Sequence, residues 1–246
     1  MLTAQRKQLI QDELKGAGRV VAGELAQRFG LSEDTIRRDL RQMAADGLCQ
    51  RVYGGAVAPH AGTLEQRHSH LRDEKERLAT VAVGLISPKQ TLIIDAGSTN
   101  SAIARALPAD HHLTVITNAP DIAAHLVQRR DIKLVVLGGC YDAGIGACLG
   151  PQTLAAMSTL RADWLFLGSC GLDAENGVTA FDQGEAAVKI AMAGISDKVA
   201  AAVTAEKIGT AAPYRVLATA NLDVLIAEEN PALEPFSAAG VVVKHP

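Results

Sequence analysis

The sequence predicts an α/β protein in two unequal parts: a small N-terminal winged helix-turn-helix and a larger, mostly parallel, Rossmann-like α/β domain. Three observations predict this. The chain of 246 residues is long for one compact core and short for three. Its first 58 residues hold three helical stretches and a strand-like run that reaches Gly54-Gly55. From residue 73 onward, short apolar runs recur with helical stretches between most of them, the pattern of a parallel sheet covered on both faces.

The elements of the first part follow from spacing and stop signals. Leu2, Leu9, Ile10 and Leu14 recur at helical spacing and Gly16 with Gly18 supplies a stop, so a first helix covers residues 3–15. Val20 and Val21 allow a brief extended segment. Glu24 to Phe29 make a short amphipathic helix closed by Gly30, a residue free to adopt the left-handed conformation of a helix end. Ser32 then caps a third helix that starts at Glu33, with Glu33 and Asp34 complementing its positive end. Along it Ile36, Leu40 and Met43 form the buried stripe, which leaves Asp34, Thr35, Arg37, Arg38, Arg41 and Gln42 facing outward. Gly47 ends this helix, and Leu48 to Tyr53 run as a strand into a Gly-Gly turn, a wing that carries Arg51.

Two helices joined by a tight turn, the second with arginine, threonine and glutamine at its exposed N-terminal half, fit a major groove. The first turns reach base edges and flanking cations take phosphates. Ser32, Glu33, Thr35, Arg37, Arg38, Arg41 and Arg51 are therefore the candidate DNA-contacting residues. For an isolated helix the alternative is a solvated face whose arginines pair with Glu33, Asp34 and Asp39. Net charge is only −3, but residues 1–58 carry nine Lys or Arg against seven Asp or Glu, so the basic surplus sits at the front. The N-terminus lacks the uninterrupted apolar stretch of a secretory signal, and the longest apolar runs are strand-length, so a cytoplasmic chain with no membrane segment is expected. Cys49, Cys140, Cys148 and Cys170 show no metal-site spacing and read as reduced small hydrophobes; His68 and His70 read as solvated linker histidines, with no metal and no cofactor.

The string Leu31-Ser32-Glu33-Asp34-Thr35-Ile36-Arg37-Arg38-Asp39-Leu40, followed by Gly47-Leu48 and Arg51-Val52-Tyr53-Gly54-Gly55-Ala56, resembles the DeoR family of bacterial transcription regulators. One departure lies at Val21, Ala22 and Gly23, where similar proteins carry a polar cap, so a frayed second helix is expected.

Residues 56–72 hold one proline, one glycine, three histidines and scattered charge without an apolar stripe, the composition of a connector. The expected division is 1–58 for the DNA-binding domain, 59–72 for the linker and 73–246 for the α/β domain. Leu78, Val81, Ala82 and Leu85 mark a helix, and the expected strands are Thr91–Asp95, Leu113–Thr117, Ile132–Leu137, Trp164–Gly168, Val199–Val203, Leu222–Ala227 and Gly240–Lys244. Ligands of such sheets sit at the carboxyl ends of the strands. There the chain places Gly97-Ser98-Thr99-Asn100, Thr117-Asn118, Gly138-Gly139, Gly168-Ser169 and Lys207, a set able to cradle a phosphate on backbone N–H groups and hydroxyls. Some of these glycines serve only to turn the chain. Glu185 and Lys189, four apart on a helix beginning near Asp182, read as an ordinary surface pair.

Asp95 to Thr99, Thr117-Asn118, Leu137 to Gly139, Gly171 to Asp173 with Gly177 to Thr179, and Glu185 to Lys189 are similar to the sugar-sensing domain of the same family, whose fold is of the ribose-5-phosphate isomerase type. The resemblance implies a pocket for a phosphorylated sugar or related metabolite. Gly97, Ser98, Thr99 and Asn100 would hold the phosphate, with Asp95, Asn118, Gly139, Glu185, Lys189 and Lys207 around the rest. Where relatives have Asp-x-Ser-Lys, this chain has Thr204-Ala205-Glu206-Lys207; either the ligand differs or Glu206 supplies part of the missing polarity. The expected partners are a double-stranded DNA operator, the metabolite and further copies of the chain in a dimer or tetramer. No catalytic residues are expected. The alternatives are a sugar-phosphate isomerase using Asp95 or Glu185 as base, for which residues 1–58 would have no use, and a DNA-binding protein whose larger domain only assembles it.

Overall fold

The computed structural model describes residues 2–17, 19–46, 48–57 and 64–246. The N-terminal part runs α1 (Thr3–Ala17), β1 (Arg19–Val21), α2 (Ala22–Phe29), α3 (Glu33–Ala45), β2 (Gln50–Val52) and β3 (Gly55–Val57). Helix α1 runs through Gly16 to Ala17, past its expected end; the other expected stops, Gly18 and Gly47, lie outside the described residues, as does the front of the linker. Ile10, Leu14, Leu25, Ile36, Leu40, Met43 and Cys49 close a separate small core. Its three-stranded sheet has the order β1-β3-β2, so the extended segment before α2 pairs with the returning wing strand.

That pairing corrects the expectation that α2 is frayed. Its N-cap, Val21, offers no side-chain hydrogen bond, but the N–H of Ala22 donates to the Gly54 carbonyl at 2.7 Å. A backbone group from the wing turn thus satisfies a helix-end donor that a polar side chain would otherwise take. Gly30 ends α2 at φ 64°, a left-handed conformation that glycine adopts without strain.

Behind it come α4 (Leu64–Ser69), α5 (Arg72–Val83), β4 (Thr91–Ile94), α6 (Ser98–Ala106), β5 (Thr114–Thr117), α7 (Pro120–Leu126) and β6 (Lys133–Val136). The hairpin of β7 (Cys140–Asp142) and β8 (Ala147–Leu149) leads to α8 (Pro151–Met157) and β9 (Ala162–Phe166). Then follow β10 (Gly171–Asp173), β11 (Gly177–Ala180), α9 (Gln183–Gly194), β12 (Ser196–Ala202), β13 (Tyr214–Leu217), β14 (Val224–Ile226), α10 (Glu234–Ala238) and β15 (Val242–Lys244). All seven strands expected from the apolar runs join one sheet of order β15-β14-β12-β9-β4-β5-β6, parallel at every pairing. One face packs against α5, α6 and α7, the other against α8, α9, α10 and a small antiparallel sheet, β10-β11-β13. That small sheet and the β7–β8 hairpin are elements the apolar pattern did not announce. Among the described residues no helix is long and apolar enough to cross a membrane.

The chain builds the sheet outward from β4 through β5 to β6, then returns to place β9 on the other side of β4 and continues outward through β12. Loops leaving β4 and β9 therefore diverge to opposite faces, and the gap between them is where such sheets bind ligands.

Candidate functional site

The structure carries two candidate sites. On the first, Ser32 caps α3: its Oγ accepts from the Thr35 N–H at 3.3 Å and lies 2.9 Å from the Thr35 hydroxyl. Ile36, Leu40 and Met43 are buried as the stripe predicts. Asp39 is buried as well and takes the Arg6 guanidinium at 2.5 Å, so it serves the core and does not neutralise the arginine face. Arg37 is bonded to Glu33 at 2.8 Å across one helical turn. Arg38 and Arg41 are exposed and have no ion-pair partner among the described residues, and Arg51 is exposed on β2. Arg38 and Arg41 on α3 and Arg51 on the wing are thus exposed, and Thr35 is half-exposed at the start of α3.

The second site is a cleft at the divergence between β4 and β9. Gly97, Ser98, Thr99, Asn100, Glu185, Lys189 and Lys207 line it, seven of the ten residues expected there. Helix α6 begins in its wall. Gly97, at φ 138°, precedes the helix without a side-chain cap, so the first-turn N–H groups face the cleft with the Ser98 and Thr99 hydroxyls. The Asn100 side chain braces this floor by donating to the carbonyls of Asp95 (2.8 Å) and Phe166 (2.9 Å), which ties the end of β4 to the end of β9. Gly168 permits the close approach: a Cβ there would stand 2.3 Å from the Ala96 carbonyl oxygen.

Glu185 and Lys189 are not a surface pair. Both are buried on α9, with Lys189 Nζ 3.4 Å from Glu185 Oε1; the Asp182 side chain caps this helix by accepting from the Glu185 N–H at 2.8 Å. Lys189 also donates to Asp95 Oδ2 and, at 2.9 Å, to the Gly168 carbonyl. Burial alone would drive its ammonium toward neutrality; the Asp95 and Glu185 carboxylates overcome that and hold it charged. Asp95 itself lies behind the cleft wall, where its Oδ2 also accepts from the Gly168 N–H at 2.9 Å. Lys207 donates to the Ser169 carbonyl at 2.8 Å and has no carboxylate at ion-pair distance among the described residues.

Asn118 and Gly139 do not line the cleft. Asn118 donates to the Cys148 carbonyl at 3.1 Å, and a Cβ on Gly139, at φ 148°, would collide with Thr153 Oγ1 at 2.1 Å. Both instead set the β7–β8 hairpin, whose tip residue Ile145 does reach the cleft. Glu206 faces away, its Oε2 bonded to His70 Nε2 at 3.0 Å. His68, half-buried, lies 3.2 Å from Asp121, so it departs from the expected solvated histidine, whereas His70 remains exposed beside Glu206. Sequence reasoning also missed Arg67 and Cys170, both cleft residues. Cys170 adjoins Gly168-Ser169, a signal that could have found it; its thiol sits 3.6 Å from Glu185 Oε2, and burial pushes its pKa up to about 11. Cys140, unlike the other three cysteines, is exposed.

The family pattern described as the DeoR C-terminal sensor domain matches residues 71–229, and that of the DeoR-like helix-turn-helix domain matches residues 6–61. The chain belongs to the DeoR family. Across its whole length it is 31% identical to the glycerol-3-phosphate regulon repressor of Escherichia coli K12, of which it covers 97%. It is 30% identical to the HTH-type transcriptional regulator GlpR of Haloferax volcanii, over 99% of this chain and 98% of that one. It is 28% identical to the HTH-type transcriptional regulator UlaR of Salmonella arizonae, over 99% of each. Among solved structures, ribose 5-phosphate isomerase A of Methanocaldococcus jannaschii is similar at 16% identity and a TM-score of 0.40, over 55% of this chain and 54% of that one. That partial likeness bears on neither activity nor ligand.

Proposed function

We propose that this DeoR-family chain represses carbohydrate or polyol metabolism genes and is released from its operator by a phosphorylated sugar-type effector bound at the β4–β9 cleft. The observation that carries the reading is the cleft itself: a helix N-terminus with two hydroxyls on one wall and the unneutralised Lys207 opposite, an arrangement that favours a phosphate. The E. coli relative named for the glycerol-3-phosphate regulon supports that ligand class. We assign residues 1–58 to operator binding through Ser32, Glu33, Thr35, Arg37, Arg38, Arg41 and Arg51, residues 59–72 to the linker, and residues 73–246 to sensing and assembly. A dimer or tetramer follows from the operator side, since paired half-sites supply the register and area that one small wing domain lacks.

The cleft is read as a binding site and not a catalytic one. Of the two candidate bases of an isomerase, Asp95 Oδ2 is already committed to Lys189 and to the Gly168 N–H, and Glu185 Oε1 lies 3.4 Å from the Lys189 ammonium, whereas a base must be free to reach the proton that it abstracts. Thermal unfolding against matched phosphorylated and unphosphorylated sugars and polyols tests the proposal. Ligand at a hundred times its Kd adds about 2.7 kcal/mol. A shift given by the phosphorylated member alone, with loss of operator binding at the same concentration, is expected; equal shifts from both members, or none from either, refute it.

A further inference from the structure

We infer that Arg67, carried on the linker helix α4, is a phosphate ligand of the sensor cleft, so that the effector grips the connector to the DNA-binding domain directly. The inference rests on the phosphate reading of the cleft and adds a residue from outside the sensor fold. Arg67 lines the cleft and also a small side recess against Ser98 and Asp121. Among the described residues its guanidinium makes a single hydrogen bond, Nη1 to the Ile145 carbonyl at 3.2 Å. Its Nε is buried with no partner among the described residues. An unsatisfied charged donor in a buried position is costly, and an oxyanion on the neighbouring α6 terminus would supply what it lacks.

The charges of the cleft point the same way. Lys189 is neutralised by Asp95 and Glu185, which leaves Arg67 and Lys207 as the lining cations without a carboxylate at ion-pair distance among the described residues. The planar edge of a guanidinium matches two phosphate oxygens at once. Arg67 is also well placed to transmit. Lys75 donates to the backbone carbonyls of Arg67 (2.8 Å) and His70 (2.6 Å), and His68 and His70 meet Asp121 and Glu206. The end of α4 is thereby fixed to the sensor, and a ligand drawn onto Arg67 acts on the segment from which the chain continues to the wing.

The test is hydrogen exchange on the full-length protein with sn-glycerol 3-phosphate and inorganic phosphate as probes and glycerol as the uncharged control. Either phosphate probe is expected to protect the amides of residues 64–71 and 98–101 together. In Arg67→Met, binding should weaken about tenfold or more and protection should persist at 98–101 only; Arg67→Lys, which keeps the charge but not the planar fork, should fall between. Protection confined to 98–101 in the wild type, with unchanged affinity in Arg67→Met, overturns the role of Arg67 and leaves the cleft reading standing. No protection of either segment by either probe overturns both. A matching melting temperature for Arg67→Met and wild type without ligand excludes misfolding as the cause of lost binding.

Discussion

Replacing Asp95 with alanine should destabilise the sensor domain far more than a surface change would. Lys189 Nζ, 2% exposed at its side chain, has three acceptors: Asp95 Oδ2, the Gly168 carbonyl at 2.9 Å and Glu185 Oε1 at 3.4 Å. Asp95→Ala deletes the nearest of them and also strips the Gly168 N–H of its acceptor. Removing one member of a buried ion pair costs about 3–5 kcal/mol, because the other charge stays behind in a poorly solvating place. The longer contact to Glu185 offsets part of this and puts the expectation near the lower end, about 3 kcal/mol. For a unit of about 150–250 residues, each kcal/mol moves the melting point by about 2–4 °C, so a fall of about 6–12 °C is expected. Calorimetry on the full chain reads it. The combined change Asp95→Leu, Glu185→Gln and Lys189→Met should recover most of the loss, since it removes all three buried charges and strands none. A fall of less than about 2 °C in Asp95→Ala, or a triple variant no better than the single one, would refute the reasoning.

Four further outcomes are expected. Arg38→Ala should weaken operator binding and either lower its salt slope by about one unit or relax specificity at one position; fluorescence anisotropy across salt concentrations checks it, and an unchanged affinity throughout removes Arg38 from the interface. Ser98→Asp places a negative charge at the start of α6 and should abolish the response to phosphorylated ligands while operator binding persists, as read by operator release. Burial lowers the His68 pKa below its ordinary 6.5, against the opposing pull of Asp121. Its contribution is therefore complete above that value and is lost as the pH falls, so His68→Gln should flatten the decline in melting temperature between about pH 7 and 5; parallel curves would count against it. Gly55→Ala should damage the wing, because a Cβ there would lie 2.0 Å from the Val20 carbonyl oxygen, a backbone atom of the paired strand; the expected loss is about 1–3 kcal/mol, seen in the unfolding of the N-terminal domain.

The periodic elements were legible. Ser32, Gly30 and the stripe Ile36, Leu40, Met43 are local signals, and they placed α3 at its observed start. The seven sheet strands were visible as apolar runs because both faces of the sheet are covered. What the sequence withheld depends on contacts far along the chain. Helix α4 has no apolar stripe, and its end is held by Lys75 and two carboxylates, one of them on Glu206, 136 residues from His70. Glu185 and Lys189 look like a surface pair because i, i+4 spacing says nothing about which way a helix face points. Asp95 supplies the third charge that makes their burial tolerable, and it lies 94 residues from Lys189.

That separation also orders events during synthesis. A ribosome adding about 5–20 residues per second exposes Asp95 about 5–20 s before Lys189. Over the same interval β4 has β5 and β6 available on one side, while its other neighbour, β9, is still to come. The N-terminal core, by contrast, closes within the first 56 residues. A nascent chain can therefore hold a finished DNA-binding fold before the β4–β9 cleft exists; under the proposed function, folding of the sensor, not of the wing, sets the moment at which the molecule becomes controllable.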